Sequence, residues 1–332
     1  MKQNVLVTCG GKWVGMVLQL KQAMMNVSAL RNGRIFVADR AALTPAGCYA
    51  HGSFVVPPIN DPDYVDCLVG LCATQGIRVV VPLIDLDLER LAPHHAAFDR
   101  VGATVVCPPP ELVELCLDKV LFYRFAKESG IPVPRRYVDV EHSDAEYPLF
   151  YKRRRGFGSA GSGKCQSLAE VQNETRLDPN LVFEELLIAP EVSVDAFISS
   201  SGKCTVRVPR LRDKVVGGEA IQTHTIPDGI VSEVSSRTIQ ALSDRGLRGP
   251  LNVQIFMTAP PKVIEVNTRL GSASVLSNQA THGLLFRSVL GHACGEEFDG
   301  DPSAYDVGLS LYRYLGDVMH VGGKSTAMFP PG

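Results

Sequence analysis

Hydrophobic and polar positions in the first hundred residues predict alternating strands and helices. Apolar runs of strand length alternate with longer stretches in which apolar residues recur at helical spacing. The predicted strands are Asn4–Thr8, Arg34–Ala38, Ile77–Pro82 and Ala103–Cys107, and the predicted helices are Val14–Met25, Tyr64–Thr74 and Leu86–Phe98. Strands that alternate with helices of this length form βαβ units, so a parallel sheet is expected here.

The pattern changes after Pro108–Pro110, which we interpret as a stiff linker. A helix is predicted over Asp118–Ser129, with Asp118 as its N-cap and Gly130 as its stop. Further strands are predicted at Leu149–Arg153, Leu181–Glu185, Val192–Ser199, Thr205–Leu211, Leu251–Met257 and Lys262–Thr268, with a helix near Ser232–Asp244. Neighbouring strands with few helices indicate an α+β fold with antiparallel sheet.

Composition narrows the class of protein. A chain of 332 residues is expected to hold more than one domain. A formal net charge of -2 lacks the basic surplus of a nucleic-acid binder, and no apolar run approaches the roughly 20 residues of a membrane span. The nine cysteines include no Cys-x-x-Cys pair, which favours reduced thiols and a cytoplasmic protein.

Two glycine-rich segments follow predicted strands. The first, Cys9–Gly15, is not a Gly-x-Gly-x-x-Gly motif, and a tight structural turn is at least as good an interpretation as a nucleotide site beside Asp39. The second, Gly156–Gly163, follows Lys152 at the end of an apolar strand. Its backbone amides and that lysine suit phosphate oxygens, although a solvated surface loop explains the pattern equally well.

Carboxylates follow the strand that ends in Glu184 and Glu185. An acid at such a bend can accept a hydrogen bond from an adenine amino group, and Glu191 lies close enough in sequence to hold ribose hydroxyls. Taken alone, a solvent-facing strand end is the better interpretation.

Two late strands carry polar residues on one face. A tight turn between Ala259 and Pro260 would place Gln254 opposite Glu265 and Asn252 opposite Asn267. Alternation then puts oxygen donors on one face, and the opposite face is predicted to be apolar, with Val253, Ile255, Ile264 and Val266. Such donors suit Mg²⁺, so Gln254, Glu265 and Asn267 are the candidate metal ligands.

In this order, the groups resemble the ATP-grasp superfamily and, within it, the carbamoyl-phosphate-synthase-like carboxylate–amine ligases. The resemblance runs from the N-terminus to about Leu290. Its matching stretches are Asp118-Lys119, Gly130–Pro134, Lys152 with its loop, Phe183–Glu185, Glu191, Asp195, Asn252–Gln254 and Glu265–Arg269.

The resemblance implies a Rossmann-like pre-ATP-grasp module followed by an ATP-grasp fold of two α+β subdomains. We expect boundaries at 1–110, 111–190 and 191–332. It also implies ATP and Mg²⁺ as cofactors, with ATP contacts from Lys119, Lys152, Gly158, Ser159, Gly161, Glu184, Glu185, Leu187 and Glu191. Gly156–Gly163 would be a mobile lid.

The implied chemistry is formation of an acyl-phosphate and its attack by an amine, with small-molecule carboxylate and amine substrates. Arg269 would stabilise the phosphoryl group in transfer, beside Lys152. Arg210 or Arg212, with His224 nearby, is our candidate for the substrate carboxylate, and Arg210 is preferred.

Two departures from the family pattern bear on the site. Gln254 stands where many relatives have an acid, which weakens a second Mg²⁺ site, and Thr268 stands where proline is usual. Four alternatives stay open: a carboxylate or carbamate kinase, a carboxylase, a non-catalytic ATP-binding regulatory module and, less favoured, a dinucleotide oxidoreductase. Mn²⁺ in place of Mg²⁺ and a homodimer are also left open.

Overall fold

A parallel sheet is formed by the N-terminal part of the chain. The structure is a computed structural model that describes residues 3–140, 144–156, 158, 161–321 and 324–327. The sheet has the order β3-β2-β1-β4-β5 and consists of β1 (Asn4–Thr8), β2 (Ile35–Asp39), β3 (Ser53–Val55), β4 (Ile77–Pro82) and β5 (Thr104–Val105). Its helices are α1 (Val14–Met24), α2 (Pro45–Tyr49), α3 (Tyr64–Thr74), α4 (Asp85–Leu91) and α5 (His95–Arg100).

Two helices and an antiparallel sheet follow. The helices are α6 (Pro110–Leu117) and α7 (Lys119–Glu128), and a third helix, α8, spans Leu168–Leu177. The sheet has the order β6-β9-β7-β8 and consists of β6 (Arg136–Tyr137), β7 (Leu149–Arg153), β8 (Gly163–Cys165) and β9 (Leu181–Glu185).

The third sheet is also antiparallel and has the order β14-β13-β10-β11-β12-β15. Its strands are β10 (Glu191–Ile198), β11 (Cys204–Val216), β12 (Glu219–Thr225), β13 (Gly249–Phe256), β14 (Lys262–Asn267) and β15 (Ser310–Tyr312). The helices of this region are α9 (Gly229–Asp244), α10 (Ser274–Ala280) and α11 (Leu284–Cys294), and a hairpin of β16 (Val318–Val321) and β17 (Lys324–Ala327) follows.

A shared hydrophobic core fixes the N-terminal module against the third sheet. Val5 and Val7 of β1 are buried together with Phe197 of β10 and Phe286 of α11. Burial of side chains of this size contributes about 1.5–3 kcal/mol each, so the loops after β1 and β4 are held beside the third sheet. Among the described residues, every helix is too short or too polar to cross a bilayer.

The predicted fold class is confirmed, with corrections to individual elements. The helix predicted over Leu86–Phe98 is wrong as a single element, because Pro93 lies in a 3₁₀ turn between α4 and α5. The Pro108–Pro110 linker ends sooner than predicted, since Pro110 begins α6. β12 was not predicted at all.

Candidate active site

A cavity of about 370 Å³ lies between the second and third sheets. This volume falls in the range of small-molecule sites. The predicted site residues that line it are Lys119, Lys152, Gly158, Glu184, Glu185, Leu187, Glu191, Arg212, Gln254 and Glu265. The fold therefore gathers residues that lie up to 146 positions apart in sequence, counted from Lys119 to Glu265, around one space.

Five other predicted residues lie off this cavity, and one cannot be placed. The residues that do not line it, within the described part of the chain, are Gly161, Arg210, His224, Asn267 and Arg269. Ser159 lies outside the described residues, as does much of the predicted lid.

Lys119 is held at the base of the glycine-rich loop. Asp118 accepts hydrogen bonds from the amides of Val120 and Leu121, which confirms it as the N-cap of α7. Lys119 Nζ donates to the carbonyl of Gly156 at 3.0 Å. Burial lowers the pKa of Lys119, and the nearby carboxylate of Glu265 opposes that shift.

Lys152 and Glu184 form an ion pair inside the cavity, with Nζ 2.8 Å from Oε2. Phe150 of β7 lies opposite Glu184 of β9, and Lys152 is two positions further along β7. The two side chains are therefore diagonal neighbours on one face of the sheet. Their predicted roles, phosphate and adenine binding, would compete with this ion pair.

The Glu185 carboxylate is occupied by the protein itself. Its Oε1 accepts a hydrogen bond from the amide of Arg135 at 2.7 Å and pairs with Lys262. The backbone that follows, at Leu186 and Leu187, lines the cavity. The backbone of this segment is therefore a better candidate than the Glu185 carboxylate for binding the edge of a purine ring.

Apolar side chains form walls of the cavity that sequence reasoning missed. Phe150 and Phe256 line it, together with Pro134 and Ile264. Alternation offered a signal for Phe256, which lies two positions beyond Gln254 on the same strand. Flat apolar walls beside backbone polar groups suit an aromatic base.

Glu191 pairs with Arg212, whose Nε lies 2.9 Å from Oε1. Burial raises the pKa of Glu191, and Arg212 opposes the shift. Arg212 also donates to the carbonyl of Gly218 at 2.9 Å and to Ser193 Oγ at 3.3 Å. Because these partners occupy its guanidinium, Arg212 fits the wall of the cavity better than a substrate-carboxylate role.

The predicted metal face has the expected register. Gln254 lies opposite Glu265, and Asn252 lies opposite Asn267. Beyond Gln254 the pairing shifts by one residue, so that Ile255 lies opposite Val263. This β-bulge turns Ile264 into the cavity and puts Val263 in the core, so the prediction that Ile264 fills the apolar face is wrong.

The oxygen donors on this face fit a magnesium ion. Within the described residues, the Glu265 carboxylate and the Gln254 side chain make no hydrogen bond or ion pair, although both line the cavity. No group of three or more His, Cys, Asp or Glu side chains suited to a metal occurs among those residues. One carboxylate with neutral amides fits Mg²⁺, which takes few protein ligands and the rest from phosphates and water.

Arg269 is held by the N-terminal module. Its Nε donates to Asp85 Oδ1 at 2.8 Å, and its Nη2 contacts the other carboxylate oxygen. Asp85 begins α4, directly after β4. Nη2 also lies 3.5 Å from Asn267 Oδ1, so this arginine links Asp85 to the metal face.

Arg210 is buried on the third sheet, and the Nε edge of its guanidinium group is hydrogen-bonded to Asp195. Its Nε donates to Asp195 Oδ2 at 2.8 Å, and Asn252 and Ser277 donate to the same carboxylate. Arg210 Nη1 is buried without a hydrogen-bond partner among the described residues. His224 pairs with Leu211 in the sheet, and its Nδ1 lies 2.8 Å from Asp213, so it does not share the face of Arg210.

The first glycine-rich segment is a structural turn. The amide of Gly11 donates to Asp39 Oδ2 at 3.1 Å, and the amide of Ala41 donates to the other oxygen at 3.1 Å. A Cβ on Gly10 would lie 2.8 Å from a methyl carbon of Val37. These contacts favour the structural interpretation over a nucleotide site.

Two family models match the chain. The model described as PylC-like, N-terminal domain matches residues 5–106, and the model of the ATP-grasp domain matches residues 116–273. Residues 116–273 of this chain form an ATP-grasp domain. The matched ATP-grasp segment contains every residue to which the sequence assigned a nucleotide, metal or catalytic role.

Two curated relatives of this ATP-grasp chain illustrate the range of the family. The carbamoyl phosphate synthase large chain of Thermoplasma acidophilum is 28% identical over 247 residues, which are 67% of this chain and 24% of that relative. The D-alanine–D-alanine ligase of Corynebacterium urealyticum is 26% identical over 203 residues, which are 52% of this chain and 56% of that relative. The chain thus spans about a quarter of the synthase and about half of the ligase.

Solved structures share the fold of this chain. The biotin carboxylase domain of Hydrogenobacter thermophilus 2-oxoglutarate carboxylase has a TM-score of 0.74 at 16% identity, covering 92% of this chain and 72% of that one. L-amino acid ligase from Bacillus licheniformis has a TM-score of 0.68 at 17% identity, and the match covers 88% of this chain and 74% of that one. This likeness confirms the predicted architecture.

Proposed function

We propose that this chain is an ATP-dependent carboxylate–amine ligase that uses Mg²⁺. The observation that carries the proposal is the uncommitted carboxylate of Glu265, which faces the same cavity as Lys119, Lys152 and Glu184. A nucleotide bound along this cavity would place its phosphates between two lysines and the metal face. Relatives whose names are D-alanine–D-alanine ligase and L-amino acid ligase support amide-bond formation as the outcome.

The adenine end is assigned to the second sheet. Glu184 would accept a hydrogen bond from the adenine amino group once its ion pair with Lys152 opens. Backbone groups at Glu185 and Leu187 would bind the ring edge, because the Glu185 carboxylate is already occupied. Glu191 would hold the ribose from the adjoining strand.

The phosphate end is assigned to the lysines and the metal face. Lys119 and Lys152 would bind phosphate oxygens, and Mg²⁺ held by Gln254, Glu265 and Asn267 would neutralise charge on the transferring phosphoryl group. Arg269 would act beside it, in an orientation fixed by Asp85. The glycine-rich segment would exclude water, since an acyl-phosphate hydrolyses readily.

Two transfers complete the reaction. A carboxylate oxygen attacks the γ-phosphorus, and the bond from that phosphorus to the β–γ bridging oxygen breaks to release ADP. An amine nitrogen then attacks the acyl carbon, loses a proton and expels phosphate. Arg210 would hold the substrate carboxylate through its unpartnered Nη1. The domain boundaries at 110 and 190 and the homodimer remain predictions.

Release of phosphate and ADP from ATP tests the proposal with a panel of carboxylic acids and amines. We expect turnover that depends on both an acid and an amine. ADP formed with an acid alone would favour a carboxylate kinase, and dependence on bicarbonate would favour a carboxylase. ATP binding with no turnover across the panel would favour a regulatory module.

A further inference from the structure

Two arginines approach each other on the substrate side of the third sheet. Arg210 presents an unpartnered, buried Nη1, and a Cβ built on Gly271 would lie 3.4 Å from its Nη2. The guanidinium of Arg313 contacts the next residue, since its Nη2 donates to the carbonyl of Ser272. The two guanidinium groups therefore flank the loop that follows the metal face.

Arg313 lacks a carboxylate partner. Among the described residues no acid lies within ion-pair distance of it, and its Nε is buried without a hydrogen bond. Its guanidinium lies over the ring of Trp13, 4.9 Å from the centroid. Burial lowers the pKa of Arg313, and the charge of Arg210 lowers it further, while Glu219 opposes both. A partly buried cation beside another cation calls for an anion.

The neighbouring acids are already in use. Asp195 accepts from Arg210, Asn252 and Ser277. Glu219 pairs with Lys12 at 3.0 Å. The charge that remains uncompensated in this region of the described chain is that of Arg313.

A third unpartnered donor lies where this loop ends, at the first residue of α10. The Oγ of Ser274 is buried and has no hydrogen-bond partner within the described residues. Buried polar atoms are normally satisfied, so three such donors around residues 271–274 indicate a polar ligand. The loop begins directly after Arg269, which places this ligand next to the proposed site of phosphoryl transfer.

We propose that Arg313 is a specificity residue for an acid that carries a second carboxylate besides the one that is phosphorylated. The inference rests on the proposed function, in which Arg210 holds the reacting carboxylate. Arg313 then binds the other one, and the Trp13 ring fixes the arginine in place. A dicarboxylic acid with a chain of a few carbons is the substrate class that this arrangement favours.

The test compares dicarboxylic acids of three to six carbons with the monocarboxylic acid of equal length, such as succinate with butyrate. Hydroxylamine serves as the amine, and ADP and hydroxamate are measured. We expect kcat/KM for the best dicarboxylate to exceed that of its matched monocarboxylate by about tenfold or more. Arg313→Gln should abolish this preference by raising KM for the dicarboxylate, with kcat changed by less than about threefold.

Three comparisons keep the result interpretable. Arg313→Lys should restore part of the preference, and Arg237→Gln, which alters an exposed arginine paired with Glu233, should leave it unchanged. Calorimetric binding of the same dicarboxylate should weaken about tenfold in Arg313→Gln while ATP affinity stays constant. Loss of ATP affinity or of monocarboxylate turnover in that variant would indicate a structural role and overturn the inference.

Failure of the two proposals can be distinguished. Equal kcat/KM for matched acids in the wild type, or an unchanged preference in Arg313→Gln, overturns the role of Arg313 and leaves the ligase intact. Absence of ADP and hydroxamate with every acid, while ATP still binds, overturns the ligase itself. In that case calorimetry with succinate, butyrate and the other acids still decides whether Arg313 binds a second carboxylate.

Discussion

The two glycine-rich segments that follow strands end in different surroundings. In Cys9–Gly15 the amide of Gly11 donates to Asp39, and the amide of Trp13 donates to the carbonyl of Gly10. The segment that begins at Gly156 borders the cavity instead, and Lys119 donates to its first carbonyl. Similar glycine content thus serves a closed turn in one place and the wall of a cavity in the other.

The difference shows what a glycine pattern leaves undecided. Backbone amides bind an anion only if no nearby side chain has already accepted from them. Asp39 closes the first segment in this way, whereas the second is flanked by Lys119 and Lys152. What separates the two segments is therefore whether a neighbouring carboxylate has already accepted a hydrogen bond from a glycine amide, as Asp39 does from Gly11.

The largest effect is expected from Glu265→Gln in the second region. Loss of the free carboxylate removes several kcal/mol of charge stabilisation from the transition state, so kcat should fall roughly 1,000-fold. Asp39→Asn is the matched change in the first region and should leave kcat within about threefold. Steady-state ADP release measures both, and retained turnover in Glu265→Gln would contradict the metal assignment.

The free energy of unfolding should depend on pH through Asp87, which lies beside the first glycine-rich segment. Burial raises the pKa of Asp87, which accepts from Thr8 and Tyr64 beneath the first turn, to about 6. The stabilisation by its protonated form is complete below the ordinary value of 3.8 and is lost as pH rises through about 6. The stability lost over this pH range is about 3 kcal/mol.

Urea unfolding at pH 4 to 7 measures this effect. The free energy of unfolding of the wild type should decline relative to that of Asp87→Asn over this range, since the carboxamide does not titrate. A constant difference between the two proteins would show that Asp87 is ionised throughout.

Added steric bulk at the β11–β12 turn should disturb the second glycine-rich segment, which begins at Gly156. A Cβ on Gly218 would lie 2.7 Å from Cα of Gly158, whereas one on Gly217 would meet nothing within 4 Å. Both glycines have positive φ, so alanine strains each of them. We expect Gly218→Ala to lower kcat/KM for ATP about tenfold more than Gly217→Ala does, because only the former displaces the glycine-rich segment. Equal effects of the two substitutions on kcat/KM would show that the contact between Gly218 and Gly158 does not contribute to the use of ATP.

The smallest effect is expected from Gly11→Ala. Gly11 has a φ of 43°, and an added Cβ would contact only Asp39 and the Cys9 carbonyl, both beyond 3.5 Å. The free energy of unfolding should fall by about 1–2 kcal/mol, with KM for ATP unchanged. A raised KM for ATP would instead support the interpretation of the first segment as a nucleotide site.

Local patterns predicted much of the site. The pairing of Gln254 with Glu265 followed from a tight turn and strict alternation, because each is a rule about neighbouring residues. The bulge at Ile264 did not follow, since Val263 and Ile264 are both apolar and either can face the core. β12 was missed because charged and polar residues interrupt its apolar positions.

Pairs that are distant in sequence could not be predicted. Asp85 and Arg269 are 184 residues apart, and only the docking of the N-terminal module on the third sheet brings them together. Arg313 belongs to the same class, because its contacts with Trp13 and Ser272 come from three separate parts of the chain. A single sequence gives no sign of such pairs.

The ion pair of Lys152 with Glu184 places one ammonium group and one carboxylate against each other in the wall of the cavity. Inorganic phosphate offers a partner to the lysine but leaves the glutamate unpaired, and adenosine does the reverse. A molecule that carries both an adenine and a phosphate chain compensates both partners at once. In the proposed site, this pair would therefore favour the complete nucleotide over either of its halves.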